Sequence, residues 1–96
     1  MIVTHQELAA AVRKARDEAK SILNQLQTQR HPDTTRSSSL YLALVTMQKR
    51  LLASDPPPPP ITSFVAELEQ LARDCEGKLA AIKPLLEDAV RLARSQ

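Results

Sequence analysis

The chain is nearly devoid of the residues that build sheets and tight turns. Its 96 positions hold one Gly, one Tyr, one Phe and no Trp. Small β-sandwiches and barrels draw on aromatic strand residues and on Gly at hairpin turns, so this composition argues against both. The single cysteine, Cys75, rules out an intramolecular disulfide and any multi-cysteine metal motif. No apolar run approaches the roughly 18 residues of a membrane span, and no basic leader precedes an apolar stretch near Met1. The expectation is therefore a cytoplasmic or nuclear protein without membrane association. No sign of charge dominates: residues 1–54 carry eight basic and four acidic side chains, a net +4, and residues 55–96 carry five and seven, a net −2. Neither half has the concentrated charge of a nucleic-acid arm.

What the chain does have is aliphatic. Leu, Ala, Val and Ile supply most of the 43% hydrophobic content, a palette suited to interdigitating helices. A chain this short buries only about 60–65% of its unfolded surface, so large binding sites belong on the outside and no small-molecule substrate or cofactor is expected. These features predict an all-α fold forming one domain.

A first helix is expected over about 5–30. Thr4 and Glu7 form a capping box, and Leu8, Val12, Ala15, Ala19, Ile22 and Leu26 follow at alternating spacings of four and three. His31-Pro32 ends it, because proline disfavours helical backbone at the residue before it. A loop over 31–38 leads to a second helix over about 39–54 with the stripe Leu40, Leu44, Met47 and Leu51. Asp55 and Pro56 to Pro60 stop that helix and predict a polyproline connector over 55–61, roughly 15 Å long for five prolines at about 3.1 Å per residue. The third segment, about 63–94, carries the longest stripe: Leu68, Ala72, Cys75, Leu79, Ile82, Leu86, Ala89 and Ala93. Its phase runs through Gly77 and Pro84 without slipping, which favours one helix bent or broken near Pro84, with two helices and Pro84 in a first turn as the alternative. A first helix of about 39 Å matches a second of about 23 Å plus the strut. The expected architecture is an elongated up-down-up three-helix bundle with heptad-type packing.

Chemistry-bearing groups are sparse. The histidines are His5 and His31, and Cys75 sits in an apolar stripe where a thiol serves as a small core residue. No phosphate-binding glycine loop, metal-ligand cluster or nucleophile elbow is present, so no enzyme is expected. Arg13, Lys14, Arg16 and Lys20, with Arg30, form a basic strip on the first helix that offers nucleic acid a few phosphate contacts, although Asp17 and Glu18 interrupt it. One Tyr and one Phe provide no stacking platform.

The tripeptide His31-Pro32-Asp33, after one helix and before a second bearing Tyr41, Leu44, Met47 and Leu51, resembles the J-domain of DnaJ-type co-chaperones over about residues 20–56. The resemblance implies a loop between antiparallel helices that stimulates ATP hydrolysis by a DnaK-type chaperone, with His31, Pro32 and Asp33 as the motif. The same residues also serve as a simple turn, since Pro32 stops a helix and Asp33 can organise the reversal.

Recognition by helix surfaces accounts for the largest share of the pattern. Ala11, Ala15 and Ala19, flanked by Leu8 and Val12, allow another backbone to approach the first helix closely. A core with so many small side chains buries little area against chain entropy, so a homodimer or a helical protein partner is expected to supply the remainder. The expected function is a non-enzymatic protein–protein interaction module: an adaptor, a complex subunit or a small regulator.

Overall fold

A computed structural model describes residues 3–55 and 57–95; Pro56 of the proline run lies outside them. The described chain is helical without strands, and none of its helices is long and apolar enough to cross a membrane. It contains four α-helices: α1 (His5–Gln29), α2 (Thr34–Leu52), α3 (Val65–Arg73) and α4 (Lys83–Arg94). Two 3₁₀ segments, Ile61–Phe64 and Gly77–Ile82, lead into α3 and α4.

Helix α1 starts where the capping box requires, with the Glu7 N–H donating to Thr4 Oγ1 at 3.1 Å. It ends in a Schellman turn. Arg30 takes left-handed backbone at φ 52°, its N–H donates to Gln27 O, and the His31 N–H donates to Leu26 O. Helix α2 begins at Thr34, five residues before the expected start. The Thr34 N–H meets His31 O, the Ser37 N–H meets Asp33 O, and the serine cluster expected in a loop is already helical. A turn of four residues, Arg30 to Asp33, is sufficient because the Schellman cap already reverses the chain.

The hairpin of α1 and α2 is antiparallel, with Arg16 donating to Gln48 across it. Pro57 to Pro60 lead to the beginning of α1, where His5 Nε2 lies 2.8 Å from Pro59 O. Helix α3 rises from there beside α2, and Arg50 meets Glu67 near its start.

The third segment departs from the expected single helix. It stops at Arg73, Glu76 is extended, and Gly77 turns at φ 58°. The break therefore falls at Gly77, several residues before Pro84. Glycine is poor in a helix interior and free in the left-handed region, so it supplies the turn. Pro84 instead sits in the first turn of α4, where its missing N–H would have no intrahelical acceptor. Helix α4 comes back along α3: Arg94 pairs with Glu69, and α4 also contacts the 3₁₀ turn Ile61–Phe64.

Every residue of the three stripes is buried despite this reversal. Phe64, fully buried, and Ile61, 5% exposed, extend the core under the strut. The molecule measures 42 × 25 × 17 Å, its long axis matching the roughly 38 Å expected of the 25-residue α1.

Candidate interaction site

Close backbone packing joins α1 to α2, α1 to α4 and α3 to α4, while α2 and α3 stand farther apart. A groove of about 370 Å³ opens between them over Leu40, Leu71 and Leu79, edged by Thr35, Arg36, Ser39, Arg73, Asp74 and Glu76. A second hollow of about 230 Å³ continues along the same seam between Ala43 and Met47 on one side and Glu67, Gln70 and Leu71 on the other. Leu40, Met47 and Leu79 are buried floor residues; Ala43 and Leu71 are half-exposed.

Two arginines of α2 bridge the seam near its ends. Arg50 Nη1 donates to both Glu67 carboxylate oxygens, at 2.9 and 3.1 Å, and its guanidinium carbon lies 4.9 Å from the centre of the Phe64 ring. Arg36 Nη2 donates to Asp74 O at 3.0 Å, and Arg36 Nη1 stands 3.5 Å from Asp33. Between these bridges α2 advances 14 residues, about 21 Å, or four helical turns. The α2 edge carries the basic Arg36, whereas the opposite edge carries Glu67, Asp74 and Glu76; Arg73 on that side donates to Gln70.

The residues expected to meet a partner take different positions. Leu8, Val12, Ala15 and Ala19 are completely buried inside the chain, so in this conformation their stripe is internal packing surface. Ala11 is half-buried at the seam of α1 and α4. The close approach that the alanines permit is used by the protein's own helices.

His31, Pro32 and Asp33 form the tip of the hairpin, and their polar groups largely bond one another. The Asp33 N–H donates to His31 Nδ1 at 3.0 Å, so the neutral ring carries its proton on Nε2. Thr34 Oγ1 donates to His31 O at 2.7 Å. The basic strip is partly neutralised: Asp17 lies 4.0 Å from Arg13 and 3.0 Å from Arg16, whereas Lys14 and Lys20 project outward. Cys75 is 2% exposed, and its Sγ donates to Leu71 O at 3.2 Å. Burial, aided by Asp74 and opposed by Lys83 and Arg36, pushes its thiol up to about 11. Among the described residues no cluster of three His, Cys, Asp or Glu side chains could hold a metal.

The α2–α3 groove was not legible in the stripes. Leu71 widens an apolar face in the sequence, but its place opposite Ala43 depends on where α3 ends and turns. No protein-family model, curated protein or solved structure matches this chain.

Proposed function

We propose that the chain is a non-enzymatic helical interaction module, an adaptor or complex subunit, whose α2–α3 groove receives an amphipathic helix of a partner protein. The observation that carries this reading is the open seam itself: an apolar floor from Leu40 to Met47 of α2, about two helical turns, faced by Leu71 and Leu79, between two helices whose neighbours are otherwise closely packed. Its edges differ in charge, with Arg36 on the α2 side and Asp74 and Glu76 outnumbering Arg73 on the other, while Glu67 is paired with Arg50. Those edges suit a helix with an apolar stripe flanked by acidic residues on the α2 side and basic residues on the α3 side. A helix provides the i, i+3, i+4 and i+7 anchors that a groove of this length can accept.

A photo-crosslinking residue placed at Ala43, with one at exposed Ser21 as reference, identifies what occupies the groove. The expected result is a polypeptide captured from Ala43 alone, with the crosslink in an amphipathic helical segment. Titration of that purified partner should then show at least tenfold weaker binding to Ala43→Glu, with the thermal transition of the variant unchanged. Equal capture from both positions, or unaltered binding by Ala43→Glu, overturns the reading.

A further inference from the structure

A second, separate groove of about 220 Å³ runs along the outer seam of α1 and α4. Leu85 and Leu92 of α4, both half-exposed, line it together with Ala10 and Ala11 of α1. Glu7 and Lys14 close it along α1. These two side chains are exposed, opposite in charge and seven residues apart, so they stand on one face at a separation of about 10 Å. Among the described residues neither side chain has an ion-pair or hydrogen-bond partner. Elsewhere on this seam the acid Asp88 is already paired with Arg91.

A twofold axis through the midpoint of Ala10 and Ala11 relates position 7 of one copy to position 14 of the other. Glu7 of each chain then faces Lys14 of its mate, and the small side chains at 10 and 11 meet where the two helices cross. The two half-exposed leucines of α4 flank this crossing on each copy. An isologous contact requires one patch to be its own complement, and this patch has that property in the placement of its two opposite charges.

From this we infer that a second copy of the chain docks antiparallel on the α1–α4 face, forming a homodimer held in register by two reciprocal Glu7–Lys14 pairs. The inference rests on this face alone and leaves the α2–α3 groove open on both copies, so the two sites succeed or fail independently.

Charge reversal tests the register. Lys14→Glu leaves two glutamates on the face and Glu7→Lys leaves two lysines, so each variant should repel itself. Mixed in equal amounts, they present complementary faces and should form a heterodimer. Sedimentation equilibrium at micromolar to submillimolar concentration should show a wild-type dimer, at least tenfold weaker self-association by each variant, and recovery in the mixture. Circular dichroism establishes that each variant retains its helix content. A monomeric wild type, or a folded pair whose mixture stays monomeric, overturns the inference. Lys14 is exposed and in the helix interior, so Lys14→Glu dimerising as tightly as wild type overturns it even if Glu7→Lys fails to fold.

Discussion

Arg50 of α2 holds two groups of the α3 arm at once: its guanidinium covers the Phe64 ring at 4.9 Å and its Nη1 spans both carboxylate oxygens of Glu67. The strut alone would leave the start of α3 tethered but unoriented. Arg50 and its two partners fix it against the end of α2, and with it the width of the groove.

Arg50→Ala should therefore destabilise the fold by about 1–2 kcal/mol, combining a partly exposed cation–π contact with a surface ion pair. Urea unfolding measures the loss, and Arg50→Lys should recover part of it, since an ammonium keeps the charge and loses the planar stacking.

The two left-handed residues should respond with opposite signs. Gly77 has open space where a Cβ would stand, so Gly77→Ala meets no clash and should cost about 1–2 kcal/mol through its φ of 58° alone. Arg30 occupies the same backbone region at φ 52°, and Arg30→Gly should stabilise by up to about 1 kcal/mol. Thermal transitions of the two variants, moving in opposite directions, check the pair.

Ala19 is wholly buried between helices, so Ala19→Leu overpacks the interior and should cost about 1–3 kcal/mol. A partner-facing surface alanine would show almost no change. Denaturant unfolding of the isolated chain distinguishes the two.

Ser37 is fully buried in α2, and its hydroxyl has no hydrogen-bond partner. Ser37→Ala removes an unsatisfied polar atom and improves helix propensity, so it should stabilise the protein by about 1 kcal/mol, which is about 4–8 °C in Tm for a domain of this size.

The Cys75 thiol ionises near 9.0 when free and near 11 in the folded chain. Below pH 9 both states hold the proton and stability is unaffected. Between these values the unfolded chain releases its proton while the folded chain keeps it, so stability should fall, by roughly 3 kcal/mol at most. Cys75→Ala should abolish this part of the alkaline decline. Native Cys75 should also resist alkylation at pH 8 and react promptly in urea.

By itself the sequence determined which side chains go inside. Each stripe is a local property, set by a helical period close to 3.6, and Leu8 through Ala93 were legible as core positions because burial follows the phase of the pattern. The caps at Thr4 and the stop at His31-Pro32 were equally local. The path of the third segment was not. A 3₁₀ turn and a short loop can return the same side chains to the core without shifting the stripe, so unbroken phase across Gly77 and Pro84 did not distinguish one helix from two. Tertiary packing decided for the reversal, since turning at Gly77 lets α4 cover both α1 and α3. That choice closed the alanine face of α1 against the chain's own helices, left the α2–α3 seam open, and brought Leu85 and Leu92 beside Glu7 and Lys14. Both candidate surfaces depend on distances between helices, which only the folded arrangement sets.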